Sequence, residues 1–240
     1  HHPAVSIVKH SNPCGAAVHD DLVTAYDNAL KTDNVSAFGG IVAVNRAVQA
    51  DLGERISQIF TEVVIAPEFS PAALDILTKK KNIRLLQWPM DKPVNVGYDI
   101  KAVDGGLLLQ DHDRLVEDSG QYKVVTRREP TKDEWAAMQF GWKLGKWVKS
   151  NAVLYVNAHQ TLGIGAGQMS RVDASRLAVR KAGDAGLDLT GSVVVSDAFF
   201  PFRDGVDAAA KAGARAVIEP GGSIRDEEVI EAANEHDMAM

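Results

Sequence analysis

The 240-residue sequence predicts an α/β fold on three observations. Short β-branched runs alternate with amphipathic stretches nearly throughout, the pattern of helices packed over a mostly parallel sheet. Hydrophobic residues make up 45% and charged residues 24%, the balance of a globular chain and not of a disordered or collagen-like one. A weak repeat also runs through the chain. Glu62-Val63-Val64-Ile65-Ala66-Pro67 leads through Phe69 and Pro71 to a helix over 72–80 and a strand over 83–87. Ser192-Val193-Val194-Val195-Ser196-Asp197 leads through Phe199 and Pro201 to a helix over 205–212 and a strand over 216–219.

Taken in order, strands are expected at 5–9, 40–44, 63–66 and 83–87, where Val and Ile cluster, with helices at 20–31, 51–60 and 71–80. The run Ser11-Asn12-Pro13-Cys14-Gly15 after the first strand reads as a sharp turn. Residues 89–130 carry the turn signals Asp104-Gly105-Gly106 and Ser119-Gly120 with only weak strands, and are expected to connect two halves, 1–88 and 131–240. Thr131 with Glu134 three residues on predicts a capping box that opens a helix reaching about residue 149. Strands follow at 153–156, 161–164, 192–196 and 216–219. A last helix over 226–235 runs into Asp237-Met238-Ala239-Met240, the beginning of a strand, so both ends read as cuts through a longer chain.

With 26 basic and 32 acidic residues the formal charge is −6, which provides no global positive field for nucleic acid. Residues 1–120 hold 11 basic and 16 acidic groups against 15 and 16 in residues 121–240, so an anionic ligand fares better near the second half. The single cysteine, Cys14, excludes an intramolecular disulfide framework and a multi-cysteine metal site, and points to a reducing compartment, the cytoplasm. No apolar run approaches the roughly 20 residues of a membrane helix, and no signal-peptide pattern opens the sequence. Neither nucleic acid nor membrane is therefore expected as a partner.

Lys9-His10 closes the first strand, and in open α/β sheets ligands sit beyond the carboxyl ends of strands. Such a pair supplies a proton acceptor and a fixed cation, or is a basic strand end facing water. Adjacent strand residues face opposite ways, so both reach one ligand only if a bulge or twist intervenes. Pro13-Cys14 matches part of the P-C-x-x-C of zinc deaminases, but the second cysteine position is Ala17 and no H-x-E occurs, so zinc catalysis of that type is rejected. Cys14 reads as a small buried residue.

Gly163-Ile164-Gly165-Ala166-Gly167 reads as a glycine-rich turn whose amides could receive an anion. Its spacing is not that of the dinucleotide fingerprint, which leaves a nucleotide-dependent oxidoreductase as the lesser alternative. Arg171 beyond it either pairs bidentately with a phosphate or carboxylate or lies on a helix surface. In Ser196-Asp197-Ala198-Phe199-Phe200-Pro201-Phe202-Arg203-Asp204, three phenylalanines around a proline suit a flat heteroaromatic ligand, with carboxylates for amide-like donors. The same loop would also suit burial against the other half or a partner subunit. Phe38, in Ser36-Ala37-Phe38-Gly39-Gly40, adds an aromatic before a strand. Asn151 either caps a helix or orients a substrate.

Together with Val64-Ile65-Ala66-Pro67 and the whole run from Val8 to Gly15, these motifs resemble, over nearly the full length, the aminoimidazole carboxamide ribonucleotide (AICAR) transformylase portion of a bifunctional purine-biosynthesis family that also carries inosine monophosphate cyclohydrolase activity. The resemblance implies two duplicated cytidine-deaminase-like α/β/α halves, each of three layers and without zinc, in a homodimer with sites at the subunit interface. It implies transfer of a formyl group from 10-formyltetrahydrofolate, the cosubstrate, to the 5-amino group of AICAR. By the same resemblance His10 is the proton acceptor, Lys9 stabilises the oxyanion or helps protonate the leaving nitrogen, and Asn151 orients the substrate. Phe38, Gly39 and Phe199 line the nucleotide side, while Arg171, Val172, Pro201, Phe202 and Asp204 face the folate. Ser150 and Asp197 match ligand positions of a monovalent cation, K+, although another such position is Ala152.

Relative to that family, the sequence starts after a stretch carrying an arginine for the substrate phosphate and stops before a strand ending in an Arg, aromatic and His cluster. The cyclohydrolase portion is absent from these residues, so ring closure is not expected of them. The alternative reading is a catalytically incomplete fragment that dimerises and binds folate.

Overall fold

The computed structural model describes residues 2–90, 97–113 and 121–240. The expected Ser119-Gly120 turn lies outside the described residues. The first half runs β1 (Ala4–Lys9), β2 (Asn12–Val18), α1 (Leu22–Thr32), β3 (Gly40–Val44), α2 (Ala50–Ser57), β4 (Thr61–Ala66), α3 (Pro71–Leu77) and β5 (Arg84–Gln87). A hairpin, β6 (Tyr98–Val103) and β7 (Gly106–Asp111), occupies the expected connector. The second half runs α4 (Lys132–Gly145), β8 (Val153–Val156), β9 (Thr161–Gly165), α5 (Arg171–Asp184), β10 (Val193–Ser196), α6 (Asp204–Lys211), β11 (Ala216–Ile218) and α7 (Asp226–Glu235).

The two halves repeat one order of strands. The first sheet is β2-β1-β3-β4-β5, and the second, read from its other edge, is β9-β8-β10-β11, with Ala239 bridging in parallel to Ala216. In each, an antiparallel hairpin is followed by a helix, and the strand after that helix pairs antiparallel with the first strand of the hairpin. The structural repeat therefore pairs β3 with β10 and β4 with β11. The sequence match had aligned β4 with β10, one unit out of step, because the aromatic-proline loops after those two strands look alike while serving different helices.

The run 11–15, expected as a turn, is mostly strand. The turn itself is His10-Ser11, closing a two-residue hairpin in which Lys9 pairs with Asn12. Both central residues have positive φ, 49° and 68°, as the primed hairpin turns require. Asn-Gly normally announces such a turn, and His-Ser does not. Pro13 is tolerated in β2 because β2 is an edge strand, where a missing N–H breaks no ladder.

Burial follows the layers. β8 and β10 are buried at every position, since α4 covers one face of the second sheet and α5, α6 and α7 cover the other. β1 and β3 alternate instead, because α1, α2 and α3 share one core on one face. The three layers expected of both halves are thus present in the second, whereas the described first half has two. Its outer face leaves Val8, Ile41, Val63 and Ile65 half-buried.

Two glycines of the run 163–167 have a packing role in place of the anion-cradling one expected. Gly163 and Gly165 lie within β9 and face α5, where an added Cβ would stand 2.3 Å from the Ala178 carbonyl oxygen and 1.7 Å from that of Ala174. Gly15 plays the same part for β2 against α1, 2.0 Å from the Ala29 oxygen. Only Gly167, at φ 68°, belongs to the following loop.

The edges β2 and β9 meet, joining the halves. Val18 N–H donates to the His159 carbonyl at 2.7 Å, and Ala17 bridges Gln160. Below them Thr161 Oγ1 accepts from Ala16 N–H at 3.0 Å and lies 2.8 Å from Thr32 Oγ1, both hydroxyls being buried. Thr161→Val strands the Ala16 N–H without an acceptor. A loss of about 1–3 kcal/mol is expected, read as a lower denaturant midpoint with an unchanged slope.

Candidate active site

The Lys9–His10 turn is strained backbone beside a cleft. A register shift between Ile7 and Val8 twists the end of β1, and the left-handed His10 then carries the chain around. That combination supplies the bulge the sequence reading required, and Lys9 and His10 line one cleft of about 450 Å³ with Asn12, Asp33, Ser36 and Lys181. Non-glycine residues at positive φ cost roughly 1–2 kcal/mol each, so such a turn persists where the surroundings hold it. His10 is exposed at its tip. Lys9 Nζ donates to the Phe38 carbonyl, tying the turn to the Phe38-Gly39 corner. There Gly39 has φ 73°, and Phe38 stacks at a tilt on Phe60, with ring centroids 5.3 Å apart.

Across the cleft Lys181 of α5 pairs with Asp33, which terminates α1. Burial pushes the Asp33 carboxyl up, but hydrogen bonds from Lys181 and from Ser36 outweigh it and hold the group below its ordinary range. Burial, then the Asp33 charge, raises the Cys14 thiol, so Cys14 is a packed side chain and not an activated nucleophile.

A second network centres on Arg171, the first residue of α5, whose helix is capped by Ser170 accepting from Asp173 N–H. Arg171 turns inward. Its Nη1 donates to Asp197 Oδ1 at 2.6 Å and to Ser196 Oγ at 2.9 Å, while Nη2 donates to Asn151 Oδ1 at 2.9 Å. The side chain is only 9% exposed, so Arg171 does not lie on the helix surface. Asn151 Nδ2 in turn donates to the Gln168 carbonyl at 2.9 Å, which locks the amide's orientation. Burial would raise the Asp197 carboxyl, yet hydrogen bonds from Ser150, Ala152 N–H and Arg171 hold it low.

Asn12 couples the two networks: its Oδ1 accepts from Lys149 N–H at 2.8 Å, two residues from each of His10 and Asn151. Lys9, His10, Ser150, Asn151, Arg171 and Asp197 are thereby gathered around adjoining loops of the two sheets.

The Phe loop leaves β10 beside them. Phe200 is 1% exposed and packs over Gly205, whereas Phe199 and Phe202 are 39% and 48% exposed and Pro201 is exposed. The three phenylalanines thus divide into one anchor and two outward rings, with Arg225 over the Phe202 ring at 4.8 Å. Val172 is half-buried on the first turn of α5, and Asp204 is exposed as the first residue of α6.

Two acidic side chains beside these residues were not singled out from sequence. Glu62 ends its side chain 3.9 Å from where a Gly39 Cβ would stand. Glu219, just after β11, receives the Phe200 N–H at 2.7 Å and lines a larger cleft of about 1040 Å³ with Ser196, Asp197, Trp135, Trp142 and Trp147. The strand-end rule alone could have singled out Glu219, because it leaves a strand beside Ser196 and Asp197.

Burial pushes the Glu219 carboxyl up to about 7, the Asp226 charge adding to the rise, against the opposing pull of the Phe200 N–H and of Arg171. A carboxyl raised on folding favours the fold while it is protonated. The contribution is therefore complete below the ordinary carboxylate range and lost as pH rises through about 7. Thermal melts between pH 5 and pH 8 should show wild type losing up to a few kcal/mol more than Glu219→Gln, which carries no proton to lose. Parallel curves would contradict this.

Among the described residues no three His, Cys, Asp or Glu side chains gather as a metal site would require, and no helix is long and apolar enough to cross a membrane. The chain is 57% identical to the bifunctional purine biosynthesis protein PurH of Magnetococcus marinus, over 99% of this chain and 47% of that protein. It is 54% identical to the protein of the same name from Acidithiobacillus ferrooxidans, over 99% of this chain and 46% of that one. The chain thus spans about half the length of the curated relatives it matches. The profile of the AICARFT/IMPCHase bienzyme family matches residues 1–181, and on that match the chain belongs to this family.

Proposed function

We propose that this chain carries the formyl-transfer half of its family's chemistry, moving the formyl group of 10-formyltetrahydrofolate to the 5-amino group of AICAR in purine synthesis. The observation that carries the reading is the left-handed His10 turn, which presents a titratable ring and the Lys9 ammonium at one cleft. The amine of AICAR is a weak nucleophile because its lone pair is delocalised into the ring and carboxamide. As its nitrogen bonds to the formyl carbon, His10 accepts the amine proton. Lys9 stabilises the oxyanion on the former carbonyl oxygen. The bond from the formyl carbon to folate N10 then breaks, and N10 takes up a proton to leave tetrahydrofolate.

Asn151, held by Arg171 and the Gln168 carbonyl, is suited to orient the carboxamide. Phe38, Gly39 and Phe199 would line the nucleotide side. Pro201, Phe202, Val172 and Asp204 would face the folate, and Arg171 retains donors beyond the three its neighbours use. A monovalent cation at Ser150 and Asp197 fits poorly, since the Asp197 carboxylate is already committed to Arg171, Ala152 and Ser150, and no step is routed through it.

The repeated order of strands supports two deaminase-like halves, divided near 1–88 and 131–240. A homodimer is supported by apolar surface: the half-buried outer face of the first sheet and the exposed Ile100, Leu107, Leu108 and Leu109 of the β6–β7 hairpin. The free, buried Cys14 accords with a cytoplasmic protein. The test is tetrahydrofolate formation with both substrates present. Product that requires AICAR supports the proposal. A folded chain that binds both ligands without turnover would instead be the folate-binding, dimerising fragment.

A further inference from the structure

We propose that Glu219 is a positioning residue for the folate side of the site, holding the loop from Phe199 to Phe202 in its binding conformation through the Phe200 N–H. This deepens the formyl-transfer reading and rests on it for the identity of the ligand.

The loop between β10 and α6 has few ties of its own. Ser196 Oγ donates to the Ala198 carbonyl at 2.7 Å and closes the entry to the loop. The Phe200 ring, fully buried over Gly205, fixes its centre from below. A buried ring still permits the backbone to rotate about it, and the direction in which Phe199 and Phe202 project follows from the orientation of the peptides on either side of Phe200. Glu219 sets that orientation: its Oε2 takes the Phe200 N–H at 2.7 Å from the neighbouring strand end.

The support reaches further along the chain. Glu219 begins the segment Pro220-Gly221-Gly222, whose glycines have φ of 66° and 97°. Asp226 closes that segment by accepting from Gly222 N–H at 2.7 Å and Ser223 N–H at 2.8 Å. Arg225, in the same turn, lies over the Phe202 ring. One carboxylate therefore anchors the middle of the Phe loop from the strand end that also leads to the cation stacked on its outer aromatic. Among the described residues no other side chain accepts from the Phe200 backbone N–H.

Glu219→Met keeps the volume and removes the acceptor; relief of the carboxyl's burial offsets part of the cost of an unpaired Phe200 N–H, so the protein should still fold, with a melt that verifies it. A residue of merely structural use would then leave function intact. The expected result is different: amides of residues 199–202 exchange with deuterium about tenfold faster, and KM for 10-formyltetrahydrofolate rises about tenfold, the scale of one lost hydrogen bond, while kcat stays within about threefold. Glu219→Gln, which retains an acceptor, should restore both. Unchanged exchange in a stable Glu219→Met protein overturns the proposal, as does a fall in kcat with KM unmoved. Should wild type bind no 10-formyltetrahydrofolate in a calorimetric titration, the folate reading fails. Exchange in the ligand-free Met and Gln variants then decides the positioning role by itself.

Discussion

His10→Ala is expected to lower formyl transfer by about 10²- to 10⁴-fold, the usual worth of a positioned proton acceptor, with AICAR and folate affinities within a few-fold of wild type. The ring is exposed and sits on a turn, so its removal opens no core cavity. The backbone is the confounding factor, since alanine at φ 49° is disfavoured. His10→Asn separates the two effects, because asparagine accepts the left-handed conformation but does not take up a proton at neutral pH. Both variants should be equally inactive, and the asparagine protein should melt at or near the wild-type temperature. Activity retained in His10→Asn would assign His10 to the turn and leave the proton acceptor to be found elsewhere.

The largest loss of stability is expected at Gly165. An alanine Cβ there would lie 1.7 Å from the Ala174 carbonyl oxygen and 2.6 Å from its carbon, both backbone atoms of α5, so no flexible side chain can move aside. β9 and α5 must separate. The cost is expected at or above the upper end for overpacking, about 3 kcal/mol, or a Tm lower by roughly 6–12 °C in a chain of this size. Gly183→Ala on the same helix is the control. Its Cβ meets nothing within 4 Å, so gaining helix propensity should leave Tm unchanged or slightly higher. Because Arg171 begins α5, Gly165→Ala should also loosen the Arg171 bonds to Asn151 and Asp197.

Hydrophobic period and capping chemistry made most elements legible. The Thr131–Glu134 capping box forms as the spacing predicts, and the helix over 226–235 has those same bounds. β2 was hidden because Asn12-Pro13-Cys14-Gly15 contains three turn-forming residues, while its real turn uses His and Ser. Gly163 and Gly165 misled for a related reason: glycine serves both turns and close backbone approach, and only the partner helix tells which. Lys9-His10 could be placed at a strand end from sequence, but their sharing of a cleft depended on a bulge that no spacing records. Arg171 was legible as a polar anchor and not as the hub of Asn151, Ser196 and Asp197, because its partners come from two segments, each 20 or more residues away in the chain. Glu219 passed unnoticed, since a single acidic residue after a short strand has no motif around it.

The most direct test follows the formyl carbon itself. With 10-formyltetrahydrofolate labelled at the formyl position and AICAR in excess, carbon NMR should show the label moving from folate N10 to the 5-amino nitrogen as a formamide, with none passing through free formate. Label that stays on folate, or appears as formate in the presence of AICAR, would contradict formyl transfer by this chain.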